Sequence, residues 1–141
     1  MAATLAISEQ AIADHAPVHV DALTKVTVDD RIKVNTKDLS EVTTYRITLQ
    51  PGGATPWHYH PGPHMVSVGA GTVTVYEADC ATTPYPAGQG FFDPGKSSPP
   101  SRQHVHLARN DGSVPAVLLV TDIRRPGEPL RVDVPAPASC F

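Results

Sequence analysis

Proline is spread along the chain from residue 17 to residue 137, and this limits the possible folds more than any other feature. Fifteen prolines and ten glycines occur among 141 residues. Proline lacks a backbone N–H and breaks helix interiors, whereas turns and the edges of sheets accept it. The sequence therefore predicts an all-β domain with many turns and disfavours a helical bundle.

Short stretches in which apolar and polar residues alternate support this prediction. In the segment 41–50, Tyr45, Ile47 and Leu49 point to one side and threonines and an arginine to the other, which is typical of a half-buried strand. About eight to ten such stretches follow one another at intervals of about 8–12 residues, which is typical of a sandwich or a barrel. We expect an N-terminal arm over residues 1–23, including a short helix or irregular segment, and one β domain over residues 24–141.

Two local structures can be predicted between the strands. The apolar runs 65–68 and 72–76 are joined by Gly69, Ala70 and Gly71 and are expected to form a hairpin. The proline-containing segment 80–88 is expected to be a region of turns. The apolar residues expected to point inward predict a mainly hydrophobic pocket, although the same pattern fits an ordinary core. They are Tyr45, Ile47, Met65, Val75, Phe92 and Leu118.

Charge and cysteine content narrow the possible partners and location. Eleven basic and fourteen acidic residues give a net charge of -3, which is not the basic footprint of a nucleic-acid-binding protein. No apolar run reaches the about 18 residues of a membrane span. The first twenty residues carry Glu9 and Asp14 and do not resemble a signal peptide, so we predict a cytoplasmic location. Cys80 and Cys140 allow one disulfide, but free thiols are the expectation for a reducing cytosol.

Five of the seven histidines fall into two groups. His58 and His60 alternate on one predicted strand, and His104 and His106 alternate on another, so each pair shares one face. The turn before His64 can return this residue to the first pair. Imidazole is a common ligand of zinc, iron, copper and nickel. A single inward histidine is usually a polar core residue, but two such pairs in one small domain favour a metal site.

The positions of these histidines resemble the two sequence motifs of the cupin superfamily. The first motif is a glycine, two histidines one residue apart, an acidic ligand and a second glycine. The second is a glycine, a proline, a histidine and an asparagine. The matching residues, in order, are Gly52, His58, His60, His64 and Gly71 for the first motif and Gly88, Pro94, His106 and Asn110 for the second. The resemblance extends over about residues 45–123.

The resemblance implies a double-stranded β-helix, also called a jelly-roll barrel, with a metal at its mouth. It carries over four metal ligands, which are His58, His60, His64 and His106. His64 stands where cupins usually have glutamate, so His104 is the alternative fourth ligand or a catalytic acid or base. The spacing from Pro94 to His106 is about seven residues longer than usual, and the stretch from Lys96 to Gln103 is predicted to form an unusual loop beside the site.

The ligand set suggests what the site would bind. Neutral imidazoles leave a divalent ion its full charge, so the site should favour an anionic substrate such as an enolate. The resemblance implies an enzyme that uses Fe(II), Mn, Ni or Zn on a small molecule, with a dioxygenase-type oxidation or C–C cleavage as the first hypothesis. The alternatives are a zinc-dependent isomerase, cyclase or lyase, a non-catalytic binding protein, and a structural metal site. A homodimer is implied by the same resemblance.

Overall fold

A computed structural model describes residues 19–95 and 104–140, and within these ranges all regular structure is β-strand. The strands are β1 (Thr27–Val28), β2 (Glu41–Leu49), β3 (His58–Tyr59), β4 (His64–Ala70), β5 (Thr72–Glu77), β6 (Thr82–Pro86), β7 (Gln89–Asp93), β8 (His106–Arg109), β9 (Ala116–Arg124) and β10 (Val132–Asp133). The all-β prediction is therefore confirmed. The predicted helix or irregular segment before residue 19 and the predicted loop at 96–103 lie outside the described residues.

The strands form two five-stranded sheets. The first sheet has the order β1-β7-β4-β9-β2, and the second has the order β10-β3-β8-β5-β6. Neighbouring strands run antiparallel except β1 and β7. The first sheet is built on the nine-residue strands β2 and β9, which pair along their whole length. The second sheet contains two strands of only two residues, β3 and β10.

Apolar side chains from both sheets form one core. Its buried members are Leu49, Val66, Val68, Val73, Val75, Phe91, Ala108, Ala116, Leu118 and Val120. Residues of one parity along a strand share a face, so the inward His64 is followed by inward Val66 and Val68. Met65 and Phe92 pair with each other in the alternate register and are only half-buried. Their expected inward orientation is therefore wrong by one residue.

The expected hairpin between residues 65 and 76 does not form. β4 pairs with β7 and β9, whereas β5 pairs with β6 and β8, so the chain passes from one sheet to the other. Gly71 makes this sharp change with a φ of 67°. A Cβ at this position would lie 2.5 Å from the Pro115 carbonyl oxygen. The two apolar runs located both strands correctly, but a run of this kind carries no information on which strand becomes the partner.

The segment 80–88 contains strand β6 rather than turns alone. Pro84 and Pro86 lie opposite Thr74 and Thr72 of β5. β6 is the last strand of the second sheet, and an edge strand needs hydrogen-bond donors on only one side. Proline is tolerated in this position because its missing N–H can face away from the ladder.

The two cysteines form a disulfide between Cys80 and Cys140, with their Cα atoms 5.3 Å apart. The expectation of free thiols is therefore wrong. Cys80 lies three residues after the end of β5, and Cys140 lies near the end of the C-terminal segment. The bridge therefore fastens that segment, which includes β10, to the body of the second sheet.

Candidate metal centre

Four histidines and one aspartate come together between the two sheets. His58 begins β3, His60 follows it, and His106 begins β8, so the second sheet supplies three imidazoles. His64 begins β4 and Asp93 ends β7, so the first sheet supplies one imidazole and one carboxylate. All five side chains belong to buried residues, none more than 6% exposed. The structure thus brings the four predicted ligands close together, although His58 is not part of the closest set, which consists of His60, His64, His106 and Asp93.

Hydrogen bonds to backbone carbonyls orient three of the imidazole rings. The Nδ1 atom of His58 lies 2.7 Å from the Pro56 carbonyl oxygen, and that of His60 lies 2.8 Å from the Leu130 carbonyl oxygen. The Nδ1 atom of His106 lies 3.1 Å from the His104 carbonyl oxygen. A carbonyl can only accept, so each Nδ1 must carry the proton. In the neutral rings each Nε2 then carries a lone pair, as metal-binding histidines require.

The three rings are neutral at pH 7. Burial lowers the pKa of His60 to about 4 and that of His106 to about 3, and it also lowers the pKa of His58. The Nε2 atoms of His58 and His60 are only 3.1 Å apart, so two lone pairs face each other. A cation between them would remove this repulsion. Two nitrogens held at about 2.0–2.1 Å from one ion lie roughly 3 Å apart, so the spacing fits a metal ion.

Asp93 is a candidate ligand that the sequence did not reveal. Nitrogen atoms of His60, His64 and His106 and a carboxylate oxygen of Asp93 all lie within 4.8 Å of one another. Burial alone would raise the pKa of Asp93, but His104 and His64 outweigh it and lower the pKa, so the carboxylate is charged. The one available signal was its position directly before Pro94 of the second motif. A carboxylate thus approaches the site where the usual glutamate is replaced by His64.

Two buried polar atoms in this group support the same conclusion. The Nδ1 atom of His64 and the Oδ2 atom of Asp93 have no hydrogen-bond partner among the residues described, and they are 3.8 Å apart. Buried polar atoms are rarely left without a partner. Together with the converging Nε2 atoms, this donor set fits a divalent transition metal, and nitrogen donors of this kind suit zinc, iron, copper or nickel.

His104 lies on the outer side of Asp93. Its Nε2 atom is 2.6 Å from Glu77 Oε2, and its Nδ1 atom is 3.1 Å from Asp93 Oδ2 but not aligned for a hydrogen bond. Asp93 first, and Glu77 second, raise the pKa of His104 to about 10. Both ring nitrogens therefore face carboxylates. Of the two candidates for a fourth ligand, His64 lies within the group and His104 lies beside it.

A cavity of about 440 Å³ extends from the histidines into the space between the sheets. His58, His60, His64 and His106 line one end. The rest of the wall is mainly apolar and includes Tyr45, Ile47 and Leu118, three of the residues predicted to face a pocket. Met65, Val75 and Phe92 are not among the lining residues. Trp57 and Tyr59, which alternate with the two histidines of β3, also lie outside it.

A larger groove of about 850 Å³ lies elsewhere, between residues 33–40 and the segment around Arg124 and Arg125. Its wall contains both polar and apolar residues and none of the histidines. The smaller cavity is therefore the one that a substrate would share with the metal centre.

The two facing sheets and the buried histidines between them can be compared with known protein families. Residues 45–122 match the family model described as "Cupin domain". This match spans more than half of the chain, so the chain belongs to the cupin family. No curated protein sequence matches significantly.

Solved structures with the same fold come from several bacteria. The polyketide cyclase RemF from Streptomyces resistomycificus is 19% identical over 70% of this chain and 65% of its own, with a TM-score of 0.52. The DMSP lyase DddQ from Ruegeria pomeroyi is 20% identical over 69% and 44%, with a TM-score of 0.52. A sugar phosphate isomerase of the cupin superfamily from Silicibacter pomeroyi is 26% identical over 62% and 54%, with a TM-score of 0.51.

Among the residues that the structure describes, there is no helix that is long and apolar enough to cross a membrane.

Proposed function

We propose that this cupin is a metal-dependent enzyme acting on a small, anionic, enolisable organic molecule by a dioxygenase-type oxidation or C–C cleavage. The observation that carries the proposal is the shared wall of the metal centre and the cavity. Four histidines form one end of a space whose wall is otherwise mainly apolar, so a molecule in this space contacts the metal site directly. A purely structural metal site needs no such access.

His58, His60, His64 and His106 are proposed to hold the ion, and Asp93 is an additional candidate. When bound, a divalent ion would supply Lewis-acid stabilisation of an enolate and, if it is iron, manganese or nickel, the redox chemistry for dioxygen. The backbone carbonyls of Pro56, Leu130 and His104 hold the rings in the required tautomer. The apolar wall excludes water and strengthens electrostatic contacts with the substrate.

His104 favours a second candidate function. It is a half-exposed imidazolium held between Asp93 and Glu77, which suits a proton donor and acceptor for enolate chemistry that needs no dioxygen. This observation supports a zinc-dependent isomerase, cyclase or lyase. The isomerase from Silicibacter pomeroyi and the cyclase RemF have comparable folds.

Oxygen consumption separates the two functions. The protein is purified without an affinity tag, loaded with Fe(II), Mn, Ni or Zn in turn, and supplied with pentane-2,4-dione or related diketones. Oxygen uptake with a redox-active metal, absent with zinc, is the expected result. Anaerobic conversion that also occurs with zinc would favour the second function. Binding without conversion under either condition would contradict both and indicate a binding protein.

Three further features are part of the proposal. We interpret the two facing sheets as the double-stranded β-helix barrel of cupins. A homodimer is proposed because β2 is an edge strand of the first sheet and exposes Val42, and edges of this kind pair with other chains. The cytoplasmic location stays a prediction, and the disulfide differs from the free thiols expected in a reducing cytosol.

A further inference from the structure

The charges in the cavity wall are of one sign only. Apart from the histidines, the lining residues include one ionisable cation, Arg131, and no carboxylate among those described. A bound metal ion would add positive charge at the histidine end. Arg131 forms an ion pair with Asp133, which does not line the cavity. Inside the cavity, an anion is therefore the ligand that would meet both positive groups.

Only one of the three side-chain nitrogens of Arg131 donates a hydrogen bond among the described residues. Its Nε atom donates to Asp133 Oδ1 over 2.9 Å, and the two terminal nitrogens make no hydrogen bond to any residue that the structure describes. The side chain is 43% exposed, so it lies at the mouth of the cavity. A guanidinium held by its Nε can still present its terminal N–H groups to a carboxylate.

The backbone fixes Arg131 beside the metal centre. The preceding residue, Leu130, accepts the hydrogen bond from His60, and the following residue, Val132, pairs with Tyr59 of β3. Across the cavity, Tyr45 projects from β2 of the other sheet. The positive charge of Arg131 acts to lower the pKa of both Tyr45 and His58, although burial is the larger influence on each. Arg131 thus lies near both groups.

We propose that Arg131 is the anion-binding residue of the substrate site and that the substrate is a carboxylate with an apolar body. The carboxylate would bind the terminal N–H groups of Arg131 at the mouth. The apolar body would lie against Ile47 and Leu118, and an enolisable carbonyl would face the histidines. An oxo acid with a short hydrocarbon chain has this arrangement. The position of the carbonyl at the histidines rests on the proposed function, whereas the binding of the carboxylate by Arg131 does not.

The test compares 2-oxohexanoate with its methyl ester, which has the same body but no charge. Binding of each to the zinc-loaded full chain is measured by titration calorimetry. A charge-assisted pair contributes about tenfold to a hundredfold in affinity, and we expect the wild type to prefer the acid by this factor. Arg131→Gln should reduce the preference to less than about threefold and leave ester binding unchanged. Arg125→Gln, an exposed arginine outside the cavity, serves as the matched control.

An unchanged preference in Arg131→Gln, or failure of the wild type to bind the acid, would overturn the inference. The same pair of ligands is then titrated into the metal-free protein. An Arg131-dependent preference that persists there, in a protein that shows no metal-dependent activity, would refute the proposed function and retain the anion site. Loss of the preference in Arg125→Gln as well would indicate a general charge effect and contradict the role of Arg131.

Discussion

The two sheets contribute to the metal centre in different ways. In the first sheet His64 pairs with two longer strands, with Asp93 of β7 on one side and Asp122 of β9 on the other. In the second sheet His58 begins a two-residue strand, and His60 follows directly after its end. His58 pairs there with His106 on one side and with Asp133 of β10 on the other.

The difference shows where the site depends on distant parts of the chain. The half in the first sheet is held by long strands whose side chains form the core. The half in the second sheet is held by the C-terminal segment, which supplies β10 and the Leu130 carbonyl that orients His60. The Cys80–Cys140 disulfide fastens that segment. We therefore expect changes near the C-terminus to act on His58 and His60 rather than on His64.

The largest effect on metal binding is expected from changing His58 and His60 together to alanine. This removes both facing Nε2 atoms, and metal binding should be abolished while the β fold is kept, since the core does not include these residues. Metal content after dialysis and far-UV circular dichroism check the two parts. Retained stoichiometric metal would contradict the assignment of this pair.

A smaller effect is expected from His64→Ala, which removes the one imidazole supplied by the first sheet. His104→Ala serves as the comparison because His104 contacts Asp93 from outside the group. Loss of such an outer partner costs about 10–100-fold in metal affinity, and the loss for His64→Ala should be greater. Competition with a chromophoric chelator measures both. The reverse order would make His104 the fourth ligand.

Breaking the disulfide should have a smaller effect on affinity and a clear effect on stability. A bridge between residues sixty apart in sequence stabilises a fold by about 4 kcal/mol in the chain-entropy model. Changing Cys80 and Cys140 to serine should lower the free energy of unfolding by up to this amount and weaken metal binding severalfold. Urea denaturation and chelator competition measure these quantities. Reductant should reproduce both effects in the wild type and change nothing in the variant.

Asn110→Ala should leave metal affinity unchanged. Asn110 is fully buried, and its side chain donates to the Leu49 and Val114 carbonyl oxygens and accepts from the Gly112 N–H. Leaving these groups without partners should cost about 2–4 kcal/mol of unfolding free energy. Thermal denaturation measures the loss. An altered metal affinity in the folded variant would show that the two ends of the molecule are coupled.

Much of the fold could be predicted from residue patterns, and the failures have specific causes. Local patterning located β2 by its alternation and β4 and β5 by their short apolar runs. It could not assign strand partners, so β4 and β5 were expected to form a hairpin. Prolines concealed β6, since only its place at a sheet edge makes Pro84 and Pro86 acceptable.

The candidate site shows the same limit. The histidine spacing predicted which imidazoles come together, because residues two apart on a strand share a face. Asp93 was missed because its proximity to His64 is set by the pairing of β4 with β7. Arg131 was missed because the C-terminal segment reaches the cavity only through its pairing with β3. Both residues reach the site through strand pairing, which the sequence motifs do not specify.

The most direct test of the metal centre is the metal content of the full chain after loading and exhaustive dialysis, measured by plasma mass spectrometry. The account predicts close to one equivalent of a divalent transition metal per chain in the wild type. Less than about a tenth of an equivalent, in a protein shown to be folded, would contradict it.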